Sequence, residues 1–140
     1  MEDSQKVVVF SLGEEQYGIP IEQVKEVVKM DKIHKLPNMP EFVEGVMNLR
    51  GSVHIIYNLR TRFNMQQKQA DDSTRIILIN SKSIGFIVDE VKEVIQTEKS
   101  DVDNIGELSL VMDRAFIEGV VKAGENMIII LDLKSVLADK

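Results

Sequence analysis

Phe42-Val43-Glu44-Gly45-Val46-Met47-Asn48-Leu49-Arg50-Gly51 runs into Ser52-Val53-His54-Ile55-Ile56-Tyr57-Asn58-Leu59, an apolar turn feeding a strongly β-forming run. The same design returns as Phe116-Ile117-Glu118-Gly119-Val120-Val121, followed by Met127-Ile128-Ile129-Ile130-Leu131-Asp132-Leu133, at a constant offset of 74 residues. Upstream, Tyr17-Gly18-Ile19-Pro20-Ile21-Glu22-Gln23-Val24-Lys25-Glu26-Val27-Val28 matches Ile84-Gly85-Phe86-Ile87-Val88-Asp89-Glu90-Val91-Lys92-Glu93-Val94-Ile95 at an offset of 67. The chain reads as one small unit written twice, and a repeat of this kind constrains the fold before any local propensity does.

Working outward, Lys6 to Leu12 is a strand rich in β-branched residues. Tyr17 to Ile21 is a second strand, which Pro20 demotes to an edge or an irregular end. Val24, Val27 and Val28 fit either a helical turn or a bent strand, and Ile33 to Leu36 is a short strand. Phe42, Val43, Val46 and Leu49 cluster at the helical repeat, which predicts one or two helical turns over Glu41 to Asn48. Val53 to Tyr57 is a buried strand, and the polar stretch Asn64 to Ser73 is a surface loop between the two units. The second unit has strands at Thr74 to Asn80 and Ile84 to Val88, then a continuation to Thr97 with Val91, Val94 and Ile95 inward. A long connection over Lys99 to Leu110 leads to the repeated apolar turn, the last core strand at Met127 to Leu131, and a helical turn over Asp132 to Leu137. Short strands with turn signals between them and no long helix indicate an all-β barrel or sandwich. Units of about sixty residues bury little surface alone, so the two should share an interface.

With 140 residues, the chain is one domain or two very small ones sharing a core. Its charge of -6, from 23 acids and 17 bases, argues against a nucleic-acid-binding surface. Without cysteine there is no disulfide, thiol chemistry or thiolate metal site. The N-terminus lacks the basic and apolar regions of a signal peptide, and no apolar run has the length to span a membrane. These features predict a cytoplasmic protein with no direct membrane insertion.

An enzyme needs a constellation of groups, and none is apparent. His34 and His54 follow no metal-ligand spacing, and His54 sits in a strand where packing or solvent accounts for it. The carboxylate pairs Asp71-Asp72, Glu14-Glu15 and Asp101 with Asp103 all fall in polar loops. Asp101 to Glu107 lacks the length and closing Glu of a calcium loop. The expectation is no catalytic residue, no cofactor and no metal. What remains is surface. Arg50 stands where the apolar turn becomes a strand, so its guanidinium can either pair with a partner's carboxylate or fold back over its own turn. The second unit carries Gly124 at this place, so the fold itself does not demand an Arg. Asn58 and Asp132 correspond and are suited to capping the turn that follows each. Glu26 and Glu93 also correspond, and suit either a partner or a structural salt link.

Tyr17-Gly18-Ile19-Pro20-Ile21 with Val24-Lys25-Glu26-Val27, and then Phe42 to Gly51, resemble the CheW family of chemotaxis coupling proteins. Ile84-Gly85-Phe86-Ile87-Val88-Asp89 and Phe116-Ile117-Glu118-Gly119-Val120 continue the resemblance, which spans about Lys6 to Leu137. It implies two packed SH3-like five-stranded β-barrels and no enzymatic activity. The implied domain is 6–137, with barrels over about 14–70 and 71–137, and it leaves open whether the strand at 6–12 crosses to the second. The implied partners are the cytoplasmic tips of transmembrane chemoreceptors and the regulatory domain of the histidine kinase CheA. Arg50 resembles the family arginine of N-L-R-G, Glu26 the acid of V-x-E, and Gly45 the glycine before the arginine motif. The chain departs from the pattern at Ile55, where the family has Pro, and at Asn58, where it has Asp. Arg50, Glu26, Gly45 and Asn58 are therefore the candidate partner-binding residues. The alternatives are the N-terminal coupling module of a CheV-like protein and, from another class, a small β-barrel enzyme or ligand carrier.

Overall fold

A computed structural model describes residues 4–80, 82–98 and 113–138. Among these, the runs rich in valine and isoleucine form strands, because branched side chains pack well on a pleated surface. The strands are β1 Ser4–Leu12, β2 Glu15–Pro20, β3 Val24–Lys29, β4 Val43–Leu49 and β5 Ser52–Asn58 in the first half. The second half supplies β6 Arg75–Ile79, β7 Ile84–Val88, β8 Glu90–Glu98, β9 Ile117–Ala123 and β10 Asn126–Leu131. A one-turn helix follows each last strand, α1 Leu59–Arg62 after β5 and α2 Leu133–Val136 after β10.

The strands form two five-stranded sheets, ordered β8-β1-β2-β10-β9 and β3-β6-β7-β5-β4. Each contains one parallel pair, β10 with β2 or β5 with β7, and the other pairs are antiparallel. The registers match row for row. Val9, Gly18, Ile130 and Gly119 lie side by side in the first sheet, as Leu78, Gly85, Ile56 and Gly45 do in the second. The repeat read from the sequence is thus a repeat of hydrogen-bonding pattern. Its halves are exchanged, however. The opening strands β1 and β2 lie with β8, β9 and β10, while β3, β4 and β5 lie with β6 and β7. A cut near residue 70 would leave each sheet with strands on both sides of it.

The expected SH3-like barrels are not closed: neither sheet joins its two outermost strands, β8 and β9 or β3 and β4, by a ladder. In the second sheet the connection from β3 to β4 carries Pro37 and Pro40, which have no N–H to donate. It meets β4 by one isolated bridge, His34 and Val46 exchanging two backbone bonds of 2.8 Å. The architecture is therefore two open, mixed sheets packed on one another.

Three apolar layers hold it together. Phe10, Tyr17, Ile19, Tyr57, Phe63, Ile77, Phe86, Ile129 and Leu131 belong to a shared core between the sheets. Val7, Val9, Val121, Ile128 and Ile130 fill the other face of the first sheet. Met47, Ile56, Ile76 and Leu78 fill the other face of the second. Alternation explains the division, since adjacent residues such as Ile76 and Ile77 point to opposite faces and both find cover.

Five local expectations change. Ile33 to Leu36 is a single bridge at His34 and not a strand, and Val53, in the stretch expected to be buried, is 56% exposed. Val43–Leu49 is a strand and not a helical turn, and Phe116 is followed by β9 in the same way. Pairing with β5 overrides the helical spacing of Phe42, Val43, Val46 and Leu49, and a bulge between Val43 and Gly45 accounts for their irregular alternation. β2 is interior and not an edge, and Pro20 is tolerated because it is the final residue of its strand. Val94 is 52% exposed and not inward. The connection expected over Lys99 to Leu110 lies outside the described residues.

Candidate functional site

Arg50 occupies the turn between β4 and β5 with φ of 51°. A left-handed conformation costs a non-glycine residue roughly 1–2 kcal/mol. The turn is held by Gly51 N–H, which donates to Asn48 Oδ1 at 3.1 Å. From this corner the guanidinium forms an ion pair with Glu26 on β3. The pair therefore joins the two rims of the second sheet that no ladder joins. Two-thirds of the Arg50 side chain remains exposed, at 66%, against 31% for Glu26. A pair this wet contributes about 0.2–1 kcal/mol. It fixes the direction of a largely accessible guanidinium more than it holds the sheet.

Gly45 and Asn58 have other surroundings. Gly45 is buried with φ of 152°, and a Cβ there would press into the His34 carbonyl. It is needed where the His34–Val46 bridge brings two backbones together. Asn58 caps α1, its Oδ1 accepting from Thr61 N–H at 3.1 Å, and its amide donates to Glu44 at 3.0 Å and Gln67 at 2.8 Å. Asp132 takes the equivalent N-cap position of α2. Of the four candidates the structure brings Arg50 and Glu26 together, and sets Gly45 and Asn58 in the supporting framework.

Further polar links were not read from the sequence. Asp89, between β7 and β8, accepts from Gly13 N–H at 2.7 Å, from Arg60 Nε at 3.1 Å and from a second Arg60 nitrogen. Burial pushes its carboxyl up, but these hydrogen bonds outweigh burial and hold it below the ordinary carboxylate value. Arg62 lies 4.0 Å over Phe42 and 4.9 Å over Phe116, the equivalent phenylalanines, and donates to the carbonyls of Val136 and Ser135. Both links join distant parts of the chain, so no local pattern announces them.

Exposed apolar side chains form a second set. Val27 and Val94 are equivalent and are 39% and 52% exposed. Val53 and Met127 are equivalent and are 56% and 43% exposed. Two accessible apolar positions are therefore repeated from one sheet to the other. Val27 and Val94 lie on outermost strands, and Val53 and Met127 near the start of interior ones. A cleft of about 170 Å³ is lined by Asn58, Arg60, Gln67, Lys68 and Asp89 among others. Those polar groups already bond to one another or to neighbouring loop residues. Among the described residues no group of three His, Asp or Glu could hold a metal, and no helix is long and apolar enough to cross a membrane.

Comparisons with known proteins bear on these surfaces. The family model of the CheW-like domain matches residues 6–140. The chain is 34% identical to the chemotaxis protein CheW of Bacillus subtilis, over 95% of this chain and 86% of that one. It is 31% identical to the chemotaxis protein CheW of Klebsiella aerogenes, over 97% of this chain and 83% of that one. The crystal structure of the scaffolding protein TtCheW from Thermoanaerobacter tengcongensis matches with a TM-score of 0.87 and 39% identity, covering 96% of this chain and 88% of that one.

Proposed function

The chain belongs to the CheW-like family, and from that premise we propose how its surfaces serve the family's task. It is a non-enzymatic scaffold that couples chemoreceptors to the histidine kinase CheA. Such a protein works by holding two partners in fixed relation, which requires a stiff body and at least two accessible contact surfaces. The shared core and the exchanged strands supply the stiffness. The repeated exposed apolar positions, one set on each sheet, supply the surfaces. We assign the module to residues 6–137 acting as a unit at the cytoplasmic ends of receptors, held there through its partners.

The observation that carries the residue-level reading is the Arg50–Glu26 pair at the rim of the second sheet. Arg50 stays accessible while its direction is set, so a partner carboxylate or carbonyl can engage the free side of the guanidinium without a search through rotamers. Glu26 orients Arg50 and is itself reachable. Gly45 and Asn58 act behind them, one allowing the close approach that shapes the rim, the other capping α1 and tying it to β4 through Glu44. The test is reconstitution with a receptor cytoplasmic fragment and CheA, reading ATP turnover by the kinase and co-sedimentation of all three. Addition of the chain should raise receptor control over kinase turnover, and Arg50→Ala should abolish most of that gain while the protein stays folded. Unchanged coupling by the Ala protein would remove Arg50 from the interface.

A further inference from the structure

The equivalence of the two sheets exposes a difference at one place. In the second sheet Glu26 is neutralised by Arg50, whose backbone is left-handed at φ 51°. In the first sheet Glu93 takes the place of Glu26 on the outer strand β8, and Gly124 takes the place of Arg50 with φ 64°. Gly124 is left-handed as Arg50 is but has no side chain, and the residue after it, Glu125, lacks the positive φ of Gly51. A Cβ built on Gly124 meets nothing within 4 Å. Glu93 is exposed and, among the described residues, has no ion pair, while Val94 beside it is 52% exposed. Among the described residues β8 is an outermost strand, so Glu93 can be approached from its edge, while alternation sends Val94 to the opposite side.

We propose that Glu93 and the open space at Gly124 form a receiving slot for an arginine presented by a docking protein. The occupant is a protein surface that carries an exposed arginine. Charge complementarity selects it. One sheet supplies its own guanidinium to this carboxylate, and the other leaves the carboxylate bare where the same cation would fit. Arginine suits the slot better than lysine because its planar fork pairs with a carboxylate through two hydrogen bonds. The two ends of the adaptor then differ in kind, one presenting an arginine and the other receiving one. This assignment rests on the adaptor reading for the nature of its partner.

Two opposite changes test it. Glu93→Gln removes the charge that receives the cation. Gly124→Arg installs an internal guanidinium at a residue whose φ of 64° is near the 51° of Arg50, and so fills the slot from within. Binding of each variant to a receptor cytoplasmic fragment and to the CheA regulatory domain is measured by calorimetry at low and high salt, with thermal unfolding in parallel. Both variants should weaken binding to the same one of the two partners by about tenfold at low salt and less at high salt. Binding to the other partner should hold, and unfolding should stay within a few degrees of the unmodified protein. Unchanged affinity of both folded variants for both partners would overturn the slot and leave the adaptor reading standing. Failure of the unmodified protein to bind either partner would overturn both. Loss confined to Gly124→Arg would overturn the slot as well, because steric blockage alone explains it.

Discussion

Replacing Asp89 by Asn tests whether the polar link at the β7–β8 junction holds the two sheets in register. The carboxylate accepts from Gly13 in the β1–β2 turn and from two nitrogens of Arg60 in α1, so it joins both sheets at the point where β8 leaves one for the other. Asn keeps a single acceptor and turns an amide N–H₂ toward the guanidinium. At least one Arg60 bond is lost and the rest lose the carboxylate's charge, where a charge-assisted bond contributes about 1.5–3 kcal/mol when shielded. Arg60 and Asp89 are 14% and 15% exposed, so water recovers part of the loss. The expected cost is about 2–4 kcal/mol, which lowers the urea midpoint by about 1–2 M for an m-value near 2 kcal/mol/M. The effect has a pH signature. Because the folded protein holds this carboxyl below its unfolded value of about 3.9, the stabilisation is complete above that value. It disappears as pH falls through 3.9 and then through the folded value. The gap between Asp89→Asn and the unmodified protein should therefore be full at pH 7 and close in strong acid. Asp71 is also held low, by Lys68 and the Ser73 N–H, yet it is exposed, so Asp71→Asn is the control and should change little at any pH. A midpoint at pH 7 within about 0.3 M of the unmodified protein, or a gap that does not close in acid, would refute the argument.

Arg50→Ala should cost less than about 1 kcal/mol of stability, because its ion pair is wet, and circular dichroism melts should move by only a few degrees. Gly45→Ala should cost about 2–4 kcal/mol, combining backbone strain with collision against the His34 carbonyl; urea titration reads it, and loss below about 1 kcal/mol would show that the β3–β4 connection yields. Arg62→Lys should lose most of the contribution of Arg62, since lysine keeps the charge but cannot lie flat on Phe42 and Phe116 while donating to Val136 and Ser135. A drop of about 1–3 kcal/mol is expected, and equal stability of the Lys protein would show that charge alone suffices.

The repeat was legible because Phe42 and Phe116, Gly18 and Gly85, and Asn58 and Asp132 keep their spacing. Their equivalence extends to single bonds: Asn58 N–H donates to the Phe42 carbonyl at 2.7 Å and Asp132 N–H to that of Phe116 at 2.8 Å. Which half completes which sheet was not legible. Val7-Val8-Val9 is equally apolar beside β8 or beside β6, and pairing partners far apart in sequence leave no local mark. The helical reading of Glu41 to Asn48 failed for a related reason, because a bulge at Gly45 shifts the alternation and imitates a helical period. Closure into barrels could not be judged either, since it depends on rims that meet only after the sheet has curled. At the candidate site, Arg50 and Glu26 stood out by their positions in the repeat, but nothing between residues 26 and 50 declares that they touch. The bare counterpart at Glu93 and Gly124 follows only once both sheets can be laid on one another.

The exchange of strands also governs how the protein comes into being. During synthesis β1 and β2 leave the ribosome first, yet the strands that flank them, β8 and β10, are among the last to appear. The opening hairpin must wait, unpaired on both sides, until nearly the whole chain is made, and so is exposed to chaperones and proteases for that interval. An interrupted chain cannot complete its first sheet, and without it the shared core is missing one wall. A chain cut short after β7 therefore carries the second sheet, with Arg50 and Glu26, against a core that lacks the wall meant to cover it.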